Sequence, residues 1–231
     1  MTKLTRQQLE ARLKAEGSSL SLTGEDLSDL DLSGLELSGS DFSSANLSGA
    51  KFREAQLRNA KLISANLENA DLRGANLSGS IFAGAAMRGA NLSDAYLLKS
   101  DLSGLDLSGI NLGKAKLDEV NMAGANLQEA NLDRAFAVRS NLSQANLSQA
   151  NLVEVNLKGA DLSQACLRGA NLRATFLEGA TLNGTDLRQV NIEEAIVRLA
   201  IYDEHTQWSE GFNPASAGAV QKKKKRWFGL F

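Results

Sequence analysis

From Leu22 to Val197 a large apolar residue returns every fifth position, with no insertion or deletion. Leu fills 28 of these 36 centres, Phe42, Phe52 and Phe82 three, Met87 and Met122 two, and Ile192, Val197 and Ala137 the rest. Two residues before each centre Ala stands 21 times, the residue between is mostly Asn or Asp, and 15 of the 20 glycines fall two residues after a centre. A period of five matches neither the 3.6-residue turn of a helix nor the two-residue alternation of a strand. It fits short extended segments joined by tight turns. Each segment points one large and one small side chain inward, and the glycines sit where a turn needs positive φ. One unit departs from the pattern: in "NLDRAFAVRSNL" (131–142) Ala137 takes a centre while Phe136 and Val138 stand at polar positions.

Runs such as "SANLENADLRGANLSG" (64–79) resemble the A(D/N)LXX motif of the pentapeptide-repeat family, and the pattern covers about 80% of the chain. The resemblance implies an all-β fold: a right-handed quadrilateral parallel β-helix, a pentapeptide-repeat solenoid in which four pentads form one 20-residue coil. Thirty-six pentads then make about nine coils and a rod roughly 43 Å long. The Leu and Ala columns fill the interior, while the Asn/Asp position and the two residues after each centre face water. Coils bury their faces only against neighbours, so both ends need caps.

The expected organisation is a helical cap over 1–19, the solenoid over 20–199, a C-terminal cap over 200–214 and a flexible basic and aromatic tail over 215–231. "TRQQLEARLKAEG" places Leu9 and Leu13 on one helical face, with Gly17 at the stop. Leu20, Leu30 and Leu35 replace Ala in the first coil, as an end layer would. "IYDEHTQWSEGFNP" carries Tyr202, Trp208 and Phe212, and is similar to the closing YDxxTxWPxGFxP segment of cyanobacterial members of the family, with Ser209 in place of Pro. Leu105, Ile110 and Val120 replace Ala close together, which predicts a local widening.

Catalytic chemistry has little to build on. His205 is the sole histidine and lies in the expected lid, where no triad or metal set surrounds it. Cys166, the single cysteine, occupies an Asn/Asp position and is expected to be exposed; one cysteine admits no internal disulfide and suits a reducing compartment. Asn91, Asn111, Asn131, Asn151, Asn171 and Asn191 stand 20 apart and predict a stacked amide ladder, a structural feature. No phosphate loop or zinc pattern is present, and neither catalysis nor a cofactor or metal is expected. With no apolar run of signal-peptide or membrane-spanning character, the chain reads as cytoplasmic, peripheral to a membrane if its tail attaches there.

Residues 20 apart stack, so each face reads as columns. On one face the column before the centres runs Glu36, Gln56, Asn76, Tyr96, Lys116, Phe136, Asn156, Phe176, Ile196, and the column after them adds Leu98, Val138 and Lys158. Tyr96, Phe136 and Phe176 recur every second coil, about 10 Å apart. Aromatics flanked by cations are the composition of interface anchors, so Tyr96, Leu98, Lys116, Phe136, Val138, Phe176 and Ile196 form a candidate protein-binding ridge. Scattered exposed apolar side chains that bind nothing are the competing reading.

Charge adds two features. Residues 20–49 hold six acids and no base, whereas 50–199 hold 16 of each. At the other end Lys222, Lys223, Lys224, Lys225 and Arg226 precede Trp227 and Phe228. The Ala/Gly-rich "NPASAGAV" before them reads as a linker. Three readings of this tail stay open: a solubilising end, attachment to an anionic membrane surface at about 1 kcal/mol per basic residue, or a motif for a protein partner.

The function expected is a non-enzymatic scaffold that binds a protein partner, of unknown identity, along one solenoid face. Two alternatives are a peripheral membrane-associated regulator and a DNA mimic acting on DNA gyrase, since the resemblance implies that some relatives protect gyrase by presenting an acidic, duplex-like rod. Balanced charge over 50–199 and the absence of projecting loops weigh against the mimic. Direct nucleic-acid binding is not expected, because bases cluster only in the tail. Pairing of two rods into a homodimer is left open.

Overall fold

The computed structural model describes residues 4–222. Helix α1 spans Arg6–Glu16 and opens on a reciprocal cap: the Gln8 backbone N–H donates to the Thr5 hydroxyl, and the Thr5 N–H donates to the Gln8 side chain. It closes the first coil through buried Leu9, with Leu4 and Leu13 packed beside it. The Arg6 guanidinium donates to the Asp31 and Ser33 carbonyls, and Arg12 donates to that of Ser21.

Past α1 the chain winds by pentads. Parallel bridges join almost every residue before a centre to the one 20 positions later, from Ser21 with Asp41 to Thr181 with Ile201, so four pentads complete one circuit. The centres and the small residues two before them are almost all buried in one continuous core. Phe42 and Phe52, large side chains in so narrow a channel, meet edge to face at 6.1 Å. Buried hydroxyls in the Ala column are bonded: Ser80, Ser100, Thr175 and Thr185 each donate to a carbonyl 23 residues earlier.

Backbone donors explain the rest of the motif. In a typical pentad the centre and the residue two after it donate to the next coil, the residue before the centre donates to the previous coil, and the following small residue closes a turn onto the centre carbonyl. Leu47, Gly49, Asn46 and Ala50 show the four in sequence. One N–H, that of the residue after the centre, is left over. Every Asn or Asp before a centre from Asp26 to Asp186 accepts it on Oδ1. Their Nδ2 groups also form the ladder, as from Asn131 to Asn111, Asn151 to Asn131 and Asn191 to Asn171. This column was expected to face water fully; its bonding leaves most of these Asn and Asp residues half-buried, and Cys166 shares that half-buried setting. At the third turn position φ is positive in every pentad but that of Glu194, the requirement of a type II turn, so Gly is favoured and 20 other residues accept the left-handed conformation.

Within the solenoid the ladder is interrupted near the far end, where the Leu172 N–H bonds the Asn191 side chain and no bridge joins Asn171 to Asn191, and it opens more widely at a seam in the middle. Gly84, Met87, Gly89, Asp106 and Asn111 lack the inter-coil N–H bonds that equivalent residues make in earlier coils, and no bridge joins Ala86 to Asp106. Bonds beside the seam are stretched, Phe82 to Asp101 at 3.3 Å and the Leu105 turn at 3.5 Å. Leu105 puts three extra carbons where Ala85 and Ala125 stand above and below it, and Ile110 enlarges the next corner. Leu105 and Ala85 are 5% and 6% exposed, whereas Ala125 is at 0%. Ala86 removes the acceptor for the Arg88 N–H as well. A polar groove of about 710 Å³ overlies the gap, lined in part by Arg88, Gly89 and Ser108. Val120, also in the Ala column, causes no such loss.

The far end closes after a short 3-10 turn, Ile192–Glu194. Strand β1, Ile201–Tyr202, pairs in parallel with β2, Val220–Gln221. The segment at 215–220 read as a flexible linker is therefore packed: turns at Ala217 and Ala219 return the chain, Ala219 is buried, and β2 continues the ladder. Tyr202, Trp208 and Phe212 stack in series at 5.5 and 5.2 Å over the last coil. Ser209 accepts from Val190 N–H and lies within bonding distance of the Leu187 and Val190 carbonyls, contacts a Pro could not make. His205 is exposed and donates its backbone N–H to Asp203.

Candidate functional site

The ridge column is continuous: bridges run Asn76, Tyr96, Lys116, Phe136, Asn156, Phe176, Ile196. Tyr96, Leu98, Phe136 and Ile196 are 42–48% exposed. Val138 and Phe176 are half-buried, less open than the column reading implied. Neighbouring long side chains cover the rings. Lys116 Nζ lies 3.5 Å from the Phe136 centroid, and Lys158 Nζ 5.5 Å from that of Phe176.

An aromatic at 136 removes the acceptor its pentad needs for the Val138 N–H. Asp118, one coil earlier, supplies it across the seam between coils at 2.9 Å. The irregular unit at 131–142 is thereby repaired: Ala137 stays inward at 0% exposure, Ser140 bonds the Ala137 carbonyl, and the phase is kept. An aromatic surface residue has been set in the column without leaving a backbone donor unpaired.

Carboxylates around the ridge are mostly engaged. Glu119 takes Lys99 at 3.6 Å and Arg139 at 3.4 Å; Glu154 takes Arg134 at 3.0 Å. Glu178 receives Lys158 at 2.6 Å and Arg198 at 2.8 Å, and these two contacts hold its carboxyl below the ordinary glutamate range. Lys114 and Lys116 form no ion pair among the described residues.

The structure gathers Lys116, Phe136 and Phe176, with Ala135 and Asn156, into an apolar-floored cleft of about 580 Å³. Its opposite wall is a column the ridge reading missed: Asp94, Lys114, Arg134 and Glu154, at the third turn position of the preceding pentads. The signal was present. These residues and the ridge residues flank one inward small residue, as in Arg134-Ala135-Phe136, and alternation around it turns both outward. Tyr96, Leu98, Val138 and Ile196 stay on the same face outside the cleft. Exposed Ile63 and Ile81 lie on another face, and Leu199, Ile201 and Val220 near the C-terminal end.

Of the tail residues singled out, Lys223, Lys224, Lys225, Arg226, Trp227 and Phe228 lie outside the described residues, and Lys222 donates its N–H to Tyr202 as β2 ends. Among the described residues no group of three or more His, Cys, Asp or Glu is placed to hold a metal ion, and no helix is long and apolar enough to cross a membrane.

A family model described as pentapeptide repeats matches in eight copies, over 21–59, 40–79, 55–94, 95–134, 106–144, 138–173 and 165–201. Comparison with curated proteins finds no match. Among solved structures, HetL, a pentapeptide repeat protein involved in heterocyst differentiation regulation from the cyanobacterium Nostoc sp. strain PCC 7120, is 29% identical over 87% of this chain and 98% of its own, with a TM-score of 0.58. A trypsin-treated form of QnrB1, a plasmid-mediated fluoroquinolone resistance protein, is 19% identical over 88% of this chain and 90% of its own, with a TM-score of 0.55, a likeness of fold alone.

Proposed function

This chain belongs to the pentapeptide-repeat family, and from that premise we propose that it is a non-enzymatic interaction module: a right-handed rod of about nine coils that binds a protein partner along its aromatic face. The observation that carries this reading is the Phe136 unit. A large apolar side chain stands 42% exposed where the motif calls for Asn or Asp, and Asp118 offsets the lost backbone acceptor. Decoration of that kind fits selection for surface, because the core gains nothing from it. The likeness to HetL, named for a part in regulating differentiation, supports a regulatory interaction role. Duplex mimicry has no comparable support: acids and bases balance at 16 each over 50–199, and ion pairs neutralise much of the ridge face.

The test is capture from lysate on the wild-type chain and on a triple variant, Tyr96→Ser, Phe136→Ser and Phe176→Ser. The variant keeps its circular dichroism and thermal unfolding, because these side chains lie on the outer face. A protein recovered by the wild type and lost from the variant supports the ridge. Recovery of one set by both refutes it.

A further inference from the structure

We propose that the cleft between Phe136 and Phe176 takes a short acidic-apolar segment of the partner, with one aromatic or aliphatic side chain seated over Asn156 and carboxylates beside it on Lys114 and Lys116. This rests on the ridge reading and narrows it to a class of ligand.

Shape sets the apolar part. Phe136 and Phe176 belong to coils two apart, so their backbones stand about 10 Å from one another, twice the strand spacing. Asn156, the residue between them, is shorter than either ring and uses its Oδ1 on the Lys158 N–H. The result is a slot one side chain wide, floored by Ala135 and Asn156 and walled by two rings. A ring or branched aliphatic group there would face both aromatics.

Charge sets the rest. Four cations edge the site: Lys114, Lys116, Arg134 and Lys158. Arg134 and Lys158 are already paired, to Glu154 and Glu178. Lys114 and Lys116 are not, and they flank the inward Ala115 on the coil before Phe136, so both line the same cleft on the far side of that ring from Asn156. Asp94 stands one coil before Lys114 without pairing to it and narrows the anionic register to the Phe136 side. Lys116 already lies over the Phe136 ring, which fixes its ammonium near an incoming carboxylate. A basic ligand would meet two ammonium groups that form no ion pair among the described residues.

The experiment is selection of a displayed random seven-residue peptide library on the full chain, on the double variant Phe136→Ser with Phe176→Ser, and on the double variant Lys114→Glu with Lys116→Glu. Wild type is expected to enrich peptides with Asp or Glu within two positions of Phe, Trp or Leu. The Ser variant loses them at least tenfold, and the Glu variant shifts the enriched charge toward Lys and Arg. Wild-type peptides depending on Phe136 and Phe176 but carrying no acidic bias, or the same peptides selected by the Glu variant, would overturn the proposal while leaving the ridge reading intact. Selection of no peptide that depends on those rings would overturn both.

Discussion

Leu105→Ala should be free of cost or stabilising, although it empties a buried leucine. A core Leu→Ala exchange destabilises by about 2–5 kcal/mol, from lost transfer energy and the cavity left behind. Here the removed carbons are what hold two coils apart. Once they are gone, Gly84, Met87, Gly89, Asp106 and Asn111 can regain the inter-coil bonds that their counterparts make elsewhere. At roughly 1 kcal/mol each, five such bonds return about 5 kcal/mol. Set against the penalty, the net change runs from about zero to a gain of about 3 kcal/mol. Leu147→Ala, at a position with 0% exposure and an intact ladder, keeps the full 2–5 kcal/mol penalty. Urea unfolding of the two variants supplies the comparison. Amide hydrogen exchange supplies the local readout: the five seam amides exchange faster than their counterparts in wild type and gain protection in Leu105→Ala. Equal losses in both variants, with the seam amides still fast, would show that side-chain bulk is not what opens the ladder.

Three further outcomes follow from contacts described above. Asp118→Ala strands the Val138 N–H and should destabilise by about 1–3 kcal/mol, and Phe136→Asn, which restores the local acceptor, should suppress most of that loss in a double-mutant cycle read by chemical unfolding. Burial pushes the Asp203 carboxyl up, but the Gly184 and His205 N–H groups and the Thr206 hydroxyl outweigh it and hold the pKa below the aspartate value. A depressed folded pKa contributes stability that is present above the unfolded value near 4 and lost as pH falls through the folded one, so Asp203→Asn should flatten the acid limb of the melting profile below pH ~4. Leu199 is 56% exposed with φ of 63°, so Leu199→Asn should raise stability by about 0.5–1 kcal/mol, measured by urea unfolding.

The rod and the face of its ridge were legible because a fixed period determines which residues stack. A count of 20 places Phe136 under Asn156 whatever the side chains do. What the count does not carry is how far a long side chain leans. Lys158 covers part of Phe176, and Lys114 and Arg134 reach across a corner to build the second wall of the cleft, so the site is a slot between two columns where one column alone suggested a ridge. Nor does it reveal hydrogen-bond debts between coils: Asp118 looks like any surface acid until the Val138 N–H is traced to it. The widening predicted at Leu105, Ile110 and Val120 could be placed but not graded, because only the first two lie where the ladder parts. The lid misled in the other direction. "NPASAGAV" has the composition of a linker, yet its small residues are what let the chain turn tightly enough for Val220 to return beside Ile201.

That returning strand has a consequence for how the molecule ends. Each coil offers the next a row of backbone donors and acceptors, and nothing in the repeat itself says stop. β2 occupies the row left open by Ile201 and Tyr202 with a strand of two residues, too short to template a further layer, and the Tyr202, Trp208 and Phe212 stack fills the channel mouth beneath it. Shortening the chain to remove residues 219–222 would bare the Ile201 and Tyr202 row of the last coil on a rod built from near-identical units. Such a fragment would have every means to add copies of itself end on, as filaments do.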